Sequence, residues 1–258
     1  MKHFTLLIAL LCICNLLQAQ NAHFTTSGTI EFERSINIYA VIKKQINKDN
    51  ESFMQQAFDA YKKANPQFKK QKSVLTFSKD KALFVPVADE DAGGNNFFWS
   101  ADPTTQQNNT IFTDLTTNIS ITQKKAFEET FLVKDTARKI NWKITDEKRD
   151  IAGYSCRRAN AVIMDSVYVV AFYTDEIPLS GGPESFTGLP GMILGVALPH
   201  DNITWFATKV TDMPVPDSKM PIPKKGKPVN NKQLREKLDD AMKDWGTEGK
   251  SFLKTLLL

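Results

Sequence analysis

Cysteine is nearly missing from this chain of 258 residues: there are three, and Cys12 and Cys14 lie in a leader-like stretch, leaving Cys156 alone beyond it. One thiol cannot close an intramolecular disulfide, so the fold must be held by its core. Histidine is as scarce. His23 and His200 lie beyond the leader with no partner at ligand spacing, which argues against a zinc site, and no metal or cofactor is expected. No run after the leader approaches the ~20 apolar residues of a membrane-crossing helix. Charge of one sign is also lacking, since the formal net charge is only +4 and drops by one when Lys2 leaves, too mild to suggest nucleic acid. A nucleophile elbow is absent, and Gly226-Lys227 lacks the glycine-rich lead and the hydroxyl of a phosphate loop. No catalytic motif is found, and the chain is read as a non-enzyme.

What is present begins with Lys2, an apolar run from Phe4 to Leu17 and the small residue Ala19. This is the pattern of a signal peptide over 1–19, and it predicts export to the periplasm or cell envelope. Cys12 and Cys14 invite a lipoprotein reading, but Leu11 and Ile13 stand where a small residue is needed.

Beyond the leader the periodicity is mostly that of strands. From Gly28 onward Ile30, Phe32, Ile36, Ile38, Ala40 and Ile42 share one parity, against Glu31, Glu33, Ser35 and Asn37, which predicts one long half-buried strand. Phe53, Met54, Ala57, Phe58, Tyr61 and Ala64 then recur at three and four, a helix over Ser52 to Asn65 with Gln55 placed for a capping box and Pro66 to stop it. Its apolar stripe is expected to pack on a sheet. Val74–Phe77 and Ala82–Val87 read as a hairpin. The polar stretch 89–109 carries Phe97, Phe98 and Trp99, either an anchor or a binding wall. Further strands are predicted at Thr110–Leu115, Asn118–Gln123, Phe127–Val133, Trp142–Thr145, Tyr154–Met164, Ser166–Thr174 and Ile203–Val210, with a charged turn at Asp146–Asp150. Val167 to Tyr173 is apolar on both parities, as for a strand covered on both faces.

Five prolines and four lysines between Met213 and Val229 suggest an extended linker. Asn230 or Asn231 can cap a short helix carrying Leu234, Leu238, Ala241, Met242 and Trp245, with Gly246 placed to end it, and Phe252 to Leu258 is apolar enough to need burial or a partner. The expected architecture is α+β and β-rich: a curved antiparallel sheet, half-barrel-like and similar to lipoprotein-carrier folds, with one packed helix and a C-terminal helical tail. The expected division is a leader at 1–19, a domain at 20–212, and a linker with its helix at 213–258.

The densest signal is Tyr173 to Leu194, where Gly181, Gly182, Gly188 and Gly191 alternate with Pro178, Pro183 and Pro190 before the apolar run Leu189 to Leu194. Glycine permits close approach or positive φ, and proline fixes φ, so this segment is stiff, bent and expected to plug into the core. Its end, Gly188, Leu189, Pro190, Gly191, Met192, Ile193, Leu194, resembles the GLPGLI motif that names a family of exported proteins of Bacteroidetes-type bacteria, with Met192 in place of leucine. The resemblance also takes in Trp142–Ala161 and the run before the motif, and more loosely Gly28–Phe84. It implies an exported, strand-rich envelope protein found alongside outer-membrane import systems, and carries no settled activity.

Tyr173, Glu176, Phe186 and Leu189 are the candidate contacts for a ligand or partner. Asp175 and Glu176 are adjacent carboxylates, but strand neighbours point to opposite faces, so a strand end whose acids meet Arg157 or Arg158 is the simpler reading. Cys156, in a strand pattern without a nearby histidine, reads as a small buried hydrophobe. The functional expectation is a non-catalytic binding or accessory protein for an apolar ligand, a peptide or an outer-membrane transport partner. Two alternatives remain open: a hydrolase using Asp175 or Glu176, and a purely structural interaction subunit of a TonB-dependent receptor system.

Overall fold

The computed structural model describes residues 24–88, 105 and 109–258. The leader and the aromatic triplet Phe97–Trp99 lie outside the described residues. In chain order the elements are β1 (Gly28–Asn37), α1 (Ile38–Gln45), α2 (Glu51–Ala64), β2 (Phe68–Phe77), β3 (Lys81–Pro86), β4 (Thr110–Asp114), β5 (Ile119–Ala126), β6 (Glu129–Thr136), β7 (Lys143–Ile151), β8 (Tyr154–Ile163), β9 (Val167–Thr174), β10 (Met192–Leu198), β11 (Ile203–Asp212), β12 (Lys227–Val229), α3 (Asn231–Ala241) and α4 (Gly246–Leu257).

All twelve strands belong to one sheet, in the order β12-β6-β5-β4-β3-β2-β1-β11-β10-β9-β8-β7. Two antiparallel meanders therefore flank β1, one running out to β6 and the other returning from β7. The only parallel pair among the described residues is β12 with β6, where the expected purely antiparallel sheet is corrected. The link from Thr136 to Lys143 can span about 25 Å at full extension. A flat sheet would hold β6 and β7 about 48 Å apart. The sheet must curl until these strands approach, and the link crosses the opening with Ala137 and Ile140 buried.

The core lies inside that curl. On β1 the alternation buries Ile30, Phe32 and Ile36, and β9 is buried on both faces from Val169 to Thr174, except that Val170 and Phe172 keep a few per cent of their surface. A second apolar cluster forms outside, where Phe131 and Val133 of β6 and Val229 of β12 meet Leu234 and Leu238 of α3, Met242, and Leu256 of α4.

Four expectations are corrected at the level of elements. The first strand ends at Asn37, whose side chain accepts from the Ala40 amide at 3.1 Å and caps α1. Ile38 and Ile42 are four apart, a spacing that fits one face of a strand and of a helix alike, so parity could not separate the two. The charged stretch Asp146–Asp150 continues β7, and the turn falls at Ala152 and Gly153, both at positive φ. As the outermost strand, β7 can carry charge on either face, and that charge discourages edge pairing. The described residues form four helices, where one packed helix and a tail helix were expected. In α2 only Phe58 is buried, edge-on to Tyr39 of α1 at 5.8 Å, so this helix leans on α1. Finally, Gly246 opens α4 at positive φ where it was expected to end the preceding helix, and α3 stops earlier, with Met242 as its C-cap.

The Pro and Lys stretch lies against the sheet. Met220 is buried with Leu83 and Phe112, and Gly226 crosses the Phe131 and Leu132 backbone so closely that a Cβ there would fall 2.6 Å from a carbonyl carbon. The cap of α3 is a full capping box: Asn230 accepts from the Gln233 amide at 2.8 Å, and the Gln233 side chain accepts from the Asn230 amide at 3.0 Å.

Candidate functional site

The signature leaves β9 at Thr174 and re-enters β10 at Met192, two residues paired in register, so the loop between them closes on itself. Its amides are satisfied internally: Met192 donates to Ile177 at 3.0 Å, Ile193 to Gly181 at 2.8 Å, and Gly188 to the Ser180 hydroxyl at 2.9 Å. Trp142, on the strand-crossing link, donates its indole N–H to the Thr187 carbonyl at 2.8 Å and ties the loop to the mouth of the curl. Ile177, Phe186 and Leu189 point inward and are buried, with the Phe186 ring 5.9 Å from that of Trp205.

The sequence-derived candidates do not converge on one surface. Tyr173, Phe186 and Leu189 retain 2 %, 1 % and 2 % of their surface, whereas Glu176 is exposed. Gly188 and Pro190 are exposed, and Gly191, Met192, Ile193 and Leu194 are buried. Asp175 and Glu176 lie just past the end of β9, and both face solvent. The expected pairing of these acids with Arg157 or Arg158 is corrected, because Glu176 accepts from the Ser155 amide at 3.3 Å and Arg158 binds Glu147 at 2.5 Å. Cys156 is buried, and desolvation pushes its thiol up to about 12, so thiolate is scarce at neutral pH.

The loop itself carries a buried acid that the sequence did not single out. Glu184, at positive φ, accepts from the Asn109 amide nitrogen at 2.8 Å; burial raises its carboxyl, while that hydrogen bond, Arg34 and Lys124 oppose the shift. Arg34 donates to Gln71 at 2.7 Å and lies over the Trp205 ring at 5.1 Å. Lys124 is pushed down to about 8 by burial and donates to the Leu256 carbonyl at 2.7 Å. Arg138 donates to the Leu257 carbonyl and Ser185 to the Leu258 carbonyl, so three side chains from separate parts of the fold hold the last turn of α4. A carboxyl raised and an amine lowered in one region is a pattern that active sites share. The cavity beside Glu184, however, measures only about 30 Å³ among the described residues, room for a water or two.

The buried lysine has a measurable consequence. Its folded value lies below its unfolded one, so between the two the unfolded chain binds the extra proton and stability rises with pH. The cost is fully present below pH ~8 and is relieved above it. Cys156 acts in the opposite sense from its ordinary value near 9 upward, which leaves pH ~8 to ~9 as the clean window. Urea midpoints should show the wild type gaining about 1 kcal/mol across that window relative to Lys124→Met; parallel profiles for the two proteins would contradict the assignment.

A larger opening lies on the outer side of the sheet. A groove of about 470 Å³ runs between the β5–β6 hairpin, β12 and α3, lined among others by Phe127, Phe131, Leu238 and Trp245.

A family described as "Protein of unknown function (Porph_ging)" matches residues 161–195. The match spans the end of β8, all of β9, the signature loop and the first strand residues after it. No curated protein matches the chain. Among solved structures, PNGF-II in two crystal forms superposes with TM-scores of 0.50 and 0.51 at 16 % and 14 % identity, over 82 % and 81 % of this chain. The chain spans only 33 % and 32 % of those proteins, and at such identity the likeness concerns the fold alone. An uncharacterized conserved protein from Thermus thermophilus gives a TM-score of 0.39 at 4 % identity, over 85 % of this chain and 99 % of that one. Among the described residues no helix is long and apolar enough to cross a membrane.

Proposed function

We propose that this chain is an exported envelope protein that binds a partner without catalysing a reaction. The observation that carries this reading is the contrast of volumes: about 30 Å³ inside the curl, at the buried charges, against about 470 Å³ on the outer face. Of these two openings, the one at the buried charges holds little and the one on the outer face has room for part of a partner. The motif at Gly188–Leu194 and the leader-like start support placing it with the GLPGLI proteins of the periplasm or outer membrane, and the curl supports likening the sheet to a half-barrel of the lipoprotein-carrier kind. In such a setting the partner is an outer-membrane transport protein, or a peptide or apolar ligand handled beside one. A hydrolase reading through Asp175 and Glu176 draws less support, since both carboxylates are exposed and neither lines either of these two openings.

Native mass spectrometry of the full-length protein isolated from the envelope fraction of its host tests this. The expected result is a bound peptide, ligand or protein partner in that fraction. Recovery of empty protein from the cytosol would contradict both parts of the proposal, and loss of a hydrolytic activity in Glu176→Gln would replace it with the enzymatic reading.

A further inference from the structure

Phe127 occupies the first position of the two-residue turn between β5 and β6, at a φ of +55°. Such hairpin positions favour glycine, asparagine or aspartate, and an aromatic residue there is held against its backbone preference. The ring is not hidden in exchange: Phe127 keeps 44 % of its surface. It meets Trp245 edge-on at 5.8 Å, and Trp245, between α3 and α4, keeps 46 % of its own. Two large rings thus stand at the mouth of the outer groove, whose floor is the apolar surface of Phe131 and Leu238.

The charges around this opening are of mixed sign but unequal. Glu129 is the only acid among the described residues that line it, and it is already paired with Lys227. Lys237 borders the groove with no acidic partner among the described residues. Polypeptide suits the opening because β12 pairs only with Phe131 to Val133, so among the described residues the outer edge of β6 before Phe131 has no strand beside it. An extended chain lying there would meet main-chain groups as well as the rings.

We infer that this groove binds an acidic peptide segment carrying one large apolar side chain, which packs against the rings of Phe127 and Trp245 while a neighbouring carboxylate meets Lys237. The inference rests on the binding reading above and names its surface and its partner. Rigid aromatic anchors give contact area at little entropic cost, and the unpaired lysine discriminates by charge.

The test uses the full chain and a fluorescent peptide with a central phenylalanine between aspartates, read by anisotropy. Control peptides replace the aspartates by lysine or the phenylalanine by glycine. Binding of the first peptide should exceed that of both controls by about tenfold, and Phe127→Gly and Lys237→Glu should each weaken it by about tenfold. Phe127→Gly should keep or raise the melting temperature, because glycine suits the positive φ. A clear fall in melting temperature would make the ring pair an internal clamp and overturn the inference. So would equal affinity for the three peptides, or affinity unchanged by both variants. A partner recovered from the envelope that cross-links to another face would overturn the groove assignment and leave the broader proposal standing, whereas an empty protein that ignores the peptide would end both.

Discussion

Gly191→Val is expected to abolish cooperative folding. A Cβ at this position would lie 2.1 Å from the Thr174 carbonyl oxygen and 2.8 Å from its carbon, and both atoms belong to a strand buried on both faces. Backbone cannot yield as the end of a side chain can, so β9 and the loop must separate, breaking the pairing between Thr174 and Met192. The loss should exceed about 4 kcal/mol, the range reserved for severe core damage. Gly188 makes an instructive contrast. Its φ is +96°, but a Cβ would meet the Trp142 ring at 3.5 Å and the Ile140 carbonyl oxygen at 3.9 Å, both ordinary contacts. Gly188→Ala should therefore cost about 1–2 kcal/mol, the strain of a left-handed backbone. Thermal melts followed by circular dichroism separate the two: a sharp but lowered transition for the alanine variant, and none for the valine variant.

Phe186→Ala carries the second large effect. Phe186 keeps 1 % of its surface and packs against Trp205, itself overlain by Arg34. Removing the ring leaves a cavity under the loop, and such truncations cost about 3–5 kcal/mol. The urea midpoint should fall with an unchanged slope. Glu176→Gln, on the exposed side of the same segment, should stay within about 0.5 kcal/mol. Had Phe186 been a surface contact for a ligand, the two substitutions would be alike in stability and differ in binding.

How much of this is visible in the sequence varies with the range of the interaction. Strand parity depends on neighbours, and Ile30, Phe32 and Ile36 show it plainly. The same parity carries a warning: Arg34 falls on the apolar face, where a charge needs a partner. That partner group, with Trp205 and Glu184, lies far along the chain, and nothing local points to it. The loop is legible as a stiff plug because glycine and proline restrict backbone locally. The docking of α4 is not, since Lys124, Arg138 and Ser185 reach its last carbonyls from three remote positions. Phe127 is hidden for another reason: its apolar character reads as the start of a strand, and only its positive φ reveals a turn.

Native-state hydrogen exchange at the loop is the most direct test of the claim that the signature belongs to the interior of the fold. The amides of Met192 and Ile193 donate to carbonyls within the loop, and β9 runs beside them. If the loop is core, these amides should exchange only through global unfolding, with the same free energy and the same denaturant dependence as the amides of β9. Faster exchange through a local opening, insensitive to low denaturant while β9 stays protected, would show a loop that moves independently and would contradict the account.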